Sequence, residues 1–161
     1  MTAHASPIRL IGPQLPQSNV CMSETGQSYV LLIGGPTESL AGYEDVCQGL
    51  DLETMAVASH HELPFRLHHF RPMAVLIDLP SESRALAATL RCIAAYNPDL
   101  PSMLIADDNA SALGTMDAAR ALWGLARLGR LPRDVSSRAL IPILFRAGRA
   151  RGVGRLLPAG R

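Results

Sequence analysis

The segment MAVLIDLPSES, residues 73–83, decides the fold class of this chain. Five apolar residues precede Asp78, and Pro80 follows closely. A continuous apolar run of this kind is typical of a strand that is covered on both faces of a parallel sheet. The segment therefore predicts a buried strand whose carboxyl end carries an acid, either as a helix cap or as a residue of a functional site.

Similar apolar runs recur along the chain, and helical patterns separate them. Further strands are predicted over 29–35, 54–59, 102–107 and, weakly, 125–131. Apolar residues at helical spacing predict helices over 37–50, 60–70, 82–99, 110–123 and about 135–150. In the last helix, Asp134 is predicted as the N-cap, and Pro142 is predicted to kink the helix or to end its first turns.

Five successive strand–helix units predict a parallel sheet with helices on both faces. Because crossovers between parallel strands are right-handed, the sheet is doubly wound. At this length we expect a flavodoxin-like, three-layer α/β/α fold with strand order 2-1-3-4-5. Such folds place their functional site at the carboxyl ends of strands 1 and 3. The loops at 34–38, 78–81 and 106–109 are therefore the candidate site.

The loop GGPTES, residues 34–39, lacks the glycine and lysine pattern of a P-loop and the glycine spacing of a dinucleotide fold. The chain has no lysine at all. Thr37 and Ser39 leave open a small-ligand site of the flavodoxin type at a helix N-terminus. The simpler interpretation is that Gly34 and Gly35 form a tight turn.

The length, the order of the five units and the string VLIDLP followed by a helix give this chain its resemblance to a known family. It resembles the receiver domain of bacterial two-component response regulators over residues 28–150. The resemblance implies that Asp78 stands where receivers have their phosphoacceptor aspartate.

Most of the other receiver residues are replaced. Gly34 and Gly35 stand where receivers have the acid pair that binds Mg²⁺, and Ala106 stands where they have a hydroxyl residue. Pro132 matches the proline of the Lys-Pro pair, but Leu131 precedes it. The nearest cations are Arg130 and Arg133, and Arg130 stands for the lysine if the register is shifted by one residue. Since phosphoryl transfer to a carboxylate needs a cation held by several carboxylates, the resemblance implies a degenerate site, a pseudo-receiver.

Charge is unevenly distributed along the chain. Residues 1–117 contain 13 acids and 5 arginines, whereas residues 118–161 contain one acid and ten arginines. The receiver resemblance implies a partner surface on the fourth helix, fifth strand and fifth helix. Arginine and tryptophan are favoured at such interfaces. The expected contact residues are Arg120, Trp123, Arg127, Arg133 and Arg138.

The ends of the chain differ in composition from its centre. Residues 1–27 predict a flexible arm, and residues 151–161 predict a basic, partly disordered tail. The expected protein is cytoplasmic, because the sequence shows neither a secretory signal nor an apolar run that could span a membrane. Cys21, Cys47 and Cys92 lack zinc spacing, and the histidine pairs at 60–61 and 68–69 are too far apart for one ion. No metal or other cofactor is expected.

These patterns predict a non-catalytic interaction module in bacterial signalling, acting through a protein partner or through self-association. Two alternatives remain open at this point. One is a stand-alone response regulator that is phosphorylated on Asp78 through an altered Mg²⁺ site. The other is a basic regulator that binds nucleic acid, for which steep salt dependence would be diagnostic.

Overall fold

The computed structural model describes residues 28–35, 38–81 and 83–150. The predicted arm at 1–27 and the predicted tail at 151–161 lie outside these residues. The strands are β1 (Tyr29–Gly34), β2 (Glu53–Val57), β3 (Ala74–Asp78), β4 (Ser102–Ile105) and β5 (Leu128–Leu131). The helices are α1 (Glu38–Gly49), α2 (Leu63–Phe70), α3 (Arg84–Tyr96), α4 (Ala110–Trp123) and α5 (Ile141–Ala150).

The five strands form one parallel sheet in the order β2-β1-β3-β4-β5. This order confirms the predicted doubly wound, flavodoxin-like topology. Every residue of β3 is buried, as its apolar run predicts. The pairing of Gly34 with Asp78 and of Ile105 with Leu131 brings the carboxyl ends of β1, β3, β4 and β5 to one edge of the sheet.

Two apolar cores cover the two faces of the sheet. One core contains alternate strand residues such as Ile77 and Leu104 and the buried faces of α2, α3 and α4. The other contains the intervening strand residues, such as Leu76 and Ile105, and packs against α1 and α5. Since side chains alternate along a strand, the continuous apolar runs supply both cores at once. The three-layer α/β/α arrangement follows from this double covering.

Local signals set the ends of the two helices beside the site. The side chain of Ser83 accepts a hydrogen bond from the Leu86 amide at 3.1 Å and begins α3. Asn109 caps α4 in the same way, through the Ala112 amide at 2.8 Å. Gly124 ends α4 in a left-handed conformation with φ of 69°. Such capping fixes where each helix starts or stops relative to the strands.

The fifth helix differs from the prediction. It begins as a short 3-10 helix over Ser137–Leu140, and α5 itself starts at Ile141. Ser136, not Asp134, caps the 3-10 helix, by accepting from the Arg138 amide at 3.4 Å. Pro142 lies in the first turn of α5, where a missing amide hydrogen costs no helical bond. The proline therefore lies at the junction where the 3-10 helix ends and α5 begins, in agreement with the prediction that it ends the first turns of the fifth helix.

Buried Cys47 on α1 makes stability depend on pH. Burial, with a smaller effect of the neighbouring Glu44 charge, raises the pKa of the Cys47 thiol from 9.0 to about 11. A thiol with a raised folded-state pKa stabilises the fold fully below its unfolded pKa, and that contribution is lost as pH rises through the folded value. We expect the denaturant concentration at the unfolding midpoint to decrease as the pH is raised from 9 to 11. The decrease should be smaller in the Cys47→Ala variant than in the unchanged protein. An equal decrease of the midpoint in the unchanged protein and in Cys47→Ala would contradict the assignment of the pH dependence to Cys47.

Candidate functional site

Asp78 lies at the centre of the carboxyl edge of the sheet. It is the last residue of β3, and its side chain is only 3% exposed. The fold places the end of β1 on one side of it and the residue after β4, Ala106, on the other. A carboxylate this deeply buried needs a charged or hydrogen-bonding partner.

Arg133 provides that partner. One of its terminal guanidinium nitrogens donates to Oδ1 of Asp78 at 2.7 Å. The same nitrogen lies 3.5 Å from the carbonyl oxygen of Ile105 at the end of β4. The Arg133 side chain is 39% exposed, so it reaches from solvent onto a buried acid. Charge-assisted hydrogen bonds of this length are among the stronger polar contacts in proteins.

Of the two arginines near Pro132, Arg133 is the one that contacts Asp78. Arg130 lies within β5, where it donates to the carbonyl oxygen of Ala106 at 3.4 Å and lies 3.6 Å from Asp108. Arg133 follows β5 by two residues, and the sequence also predicts it as a contact residue of the partner surface. The turn after Pro132 carries Arg133 back over the sheet edge, and sequence position alone does not reveal that turn.

Gly34 approaches Asp78 through its backbone. A Cβ atom at position 34 would lie 2.5 Å from the backbone oxygen of Asp78, and the φ angle of Gly34 is 144°, where L side chains are rare. Gly35 is exposed, and a Cβ there would meet nothing within 4 Å. The first glycine of the pair is therefore required by the packing of β1 against β3, and the second is not.

The side chains at the carboxyl edge of the sheet do not fit the oxygen ligands that a magnesium ion requires. Mg²⁺ is held by oxygen ligands, usually including carboxylates. Gly34 and Gly35 offer no side chain, and the Asp78 carboxylate already bonds to a guanidinium. Asp107 and Asp108 are exposed. Within residues 28–35, 38–81 and 83–150, no three His, Cys, Asp or Glu side chains cluster as metal ligands would.

Two shallow clefts flank the Arg133 side chain. The first, of about 300 Å³, is lined by Ser81, Ala106, Asp107, Asn109 and Ser111, among others. The second, of about 290 Å³, is lined by Glu38, Gly42, Tyr43, Val135 and Ser137. Burial, and to a lesser degree the charge of Asp78, raises the pKa of Tyr43. The tyrosine therefore remains neutral beside the ion pair.

The residues predicted for the partner surface have several environments. Trp123 is half-buried and packs against the apolar core that contains the buried face of α4. Arg120 donates to the carbonyl oxygen of Leu128 at 2.7 Å and pairs with Asp117 at 3.1 Å. Arg127 and Arg138 are exposed.

Among the described residues, no helix combines the length and the apolar character that a membrane-spanning helix needs.

No protein-family model matches the sequence, and no curated protein matches it significantly. Solved structures do match. The response regulator receiver protein from Sinorhizobium medicae is 19% identical, with a TM-score of 0.61 over 79% of this chain and 98% of that one.

Two further structures resemble this chain. The chemotaxis response regulator CheY4 of Vibrio cholerae is 12% identical, with a TM-score of 0.59 over 75% of this chain and 98% of its own. A CheY-like protein (tadZ) from Pseudomonas aeruginosa is 16% identical, with a TM-score of 0.59 over 84% and 99%. Together with the strand order, these matches show that the chain has the fold of response-regulator receiver domains.

Proposed function

We propose that this chain is a non-catalytic interaction module in bacterial signal transduction, with Asp78 serving as one half of an internal ion pair. The observation that carries the proposal is the 2.7 Å contact between Asp78 and Arg133. In this proposal the arginine replaces the divalent cation of a working receiver. The carboxylate then holds the loop after β5 in place and does not accept a phosphoryl group.

The chemistry of phosphoryl transfer supports this assignment. A carboxylate nucleophile and a phosphodonor are both anionic, so the reaction depends on a cation that bridges them. Arg133 neutralises Asp78, and the end of β1 has no carboxylate to hold a metal. Ala106 also lacks a hydroxyl that could bond to a phosphoryl oxygen.

The exposed side of α4, β5 and α5 is the proposed contact surface. Leu122 and Leu113 on α4 are large apolar side chains that are 73% and 45% exposed. Arg127, before β5, and Arg138, before α5, are also exposed. Arginine and apolar side chains are both common at protein interfaces. We therefore propose that signalling output passes through a protein bound to this surface.

Incubation with Mg²⁺ and acetyl phosphate, or with beryllofluoride, tests the proposal. We expect intact-mass spectrometry to show no adduct on the full chain, and Trp123 fluorescence to show no Mg²⁺-dependent change. A receiver with its acid pair intact serves as the positive control.

The matched control variant is Asp78→Asn, which keeps the size of the side chain and removes its charge. An adduct that requires both Mg²⁺ and Asp78 would overturn the proposal and make the chain a phosphorylation switch.

A further inference from the structure

A groove between β5 and α5 lies away from Asp78, toward the amino ends of β4 and β5. Its volume is about 540 Å³. The residues that line it include Pro101 and Arg127, which precede β4 and β5, and Ile143 and Ala147 on α5. A second cavity of about 410 Å³ shares Pro101, Arg127 and Ala147 with it and extends along the loop before β4, where Asp99 lines it.

The floor of this groove is apolar. Met103, Ile143 and Ala147 contribute to it, and the absence of a side chain at Gly129 leaves room for Met103. A Cβ at position 129 would lie 2.7 Å from the terminal methyl group of Met103. An apolar floor in an open groove favours an occupant with an apolar side chain, because seating it there removes apolar surface from water.

The rim of the groove is positively charged. Arg127, Arg130 and Arg146 line it, and no acidic residue does so among the described residues. The guanidinium groups of Arg127 and Arg146 form neither a hydrogen bond nor an ion pair with the described part of the chain. Arg130 is partly engaged by Asp108. The groove thus offers two unpaired cations around an apolar floor.

We propose that this groove binds an acidic segment of a partner protein, with an apolar side chain on the floor and carboxylates at Arg127 and Arg146. The proposal rests on the proposed function and names the chemistry of its partner. Charge complementarity of this kind steers association and selects the partner. Nucleic acid is disfavoured as the occupant, since a phosphate backbone would leave the apolar floor without a matching surface.

A random peptide library displayed on phage, selected against the full chain without Mg²⁺ or phosphodonor, tests this proposal. We expect enrichment of peptides in which aspartate or glutamate flanks leucine or isoleucine. The affinity of a synthetic peptide with an enriched sequence should be at least about tenfold lower for the double variant Arg127→Glu/Arg146→Glu than for the unchanged protein.

Two controls separate charge, shape and folding. Arg84→Glu/Arg91→Glu changes the net charge equally at two exposed arginines on α3, and it should leave peptide affinity unchanged. Ile143→Gln places a polar side chain on the apolar floor and should lower the affinity for the peptide severalfold. Circular dichroism of each variant confirms that it folds.

Three outcomes would overturn the proposal. One is that the phage selection enriches no acidic peptides. Another is that Arg127→Glu/Arg146→Glu and Arg84→Glu/Arg91→Glu bind the selected peptide with equal affinity. The third is tight binding of a single-stranded oligonucleotide that Arg127→Glu/Arg146→Glu abolishes and Ile143→Gln does not, which would assign the groove to nucleic acid. Phosphorylation of Asp78 in the separate acetyl phosphate assay would contradict the proposed function without affecting any of these measurements.

Discussion

Replacing Gly34 with alanine is expected to lower the free energy of unfolding by about 3 kcal/mol, because the new Cβ meets a backbone atom and the φ angle is strained. The Cβ would lie 2.5 Å from the Asp78 carbonyl oxygen, which cannot move without disturbing the pairing of β1 with β3. Urea denaturation monitored by circular dichroism measures the loss.

Gly35→Ala is the matched control, since a Cβ at Gly35 meets nothing within 4 Å. We expect it to change stability by less than about 0.5 kcal/mol. Equal stability of the two variants would show that β1 does not approach Asp78 as described. The same clash applies to Gly34→Asp, so a carboxylate introduced at this position is also expected to lower stability.

Replacing Arg133 with alanine is expected to lower the free energy of unfolding by about 2 kcal/mol, less than for a fully buried pair because the arginine is partly exposed. The substitution leaves the Asp78 carboxylate buried without its guanidinium. In Asp78→Asn the neutral amide should make Arg133→Ala less costly. A double-mutant cycle over the two positions therefore measures the pair directly, with an expected coupling of about 1 to 2 kcal/mol.

Arg138→Ala is the control for this cycle. Arg138 is also an exposed arginine near the start of α5, and its guanidinium forms no ion pair with the described residues. Its replacement should change stability by less than about 0.5 kcal/mol. If Arg133→Ala were no more destabilising than Arg138→Ala, the ion pair would be absent in solution, and the main support for a non-phosphorylated Asp78 would be lost.

The fold was predictable because its signals are local and repeated. The apolar run before Asp78 and its four counterparts identify strands, and helical spacing between them leaves a parallel sheet as the arrangement that buries both faces. The start of the fifth helix was less predictable. Asp134 and Ser136 are both plausible caps, and the choice depends on how the chain leaves β5.

The candidate site was predictable in its location and not in its contacts. The position of Asp78 at a strand end, and the glycines and alanine around it, follow from the sequence once the strand order is known. The identity of the cation does not, because the loop after β5 decides whether Arg130 or Arg133 reaches the carboxylate. The requirement for glycine at position 34 is equally hidden, since it arises from a contact with a residue 44 positions away.

By itself, the sequence determined the topology and the absence of acids at positions 34 and 35 and of a hydroxyl at position 106, since these depend on hydrophobic pattern and residue type. Only the tertiary structure decided that Arg133 neutralises Asp78, that Gly34 packs against its backbone, and that Arg127 and Arg146 flank one apolar groove. These are contacts between distant segments. Their geometry depends on how strands and helices pack, which a linear pattern does not encode.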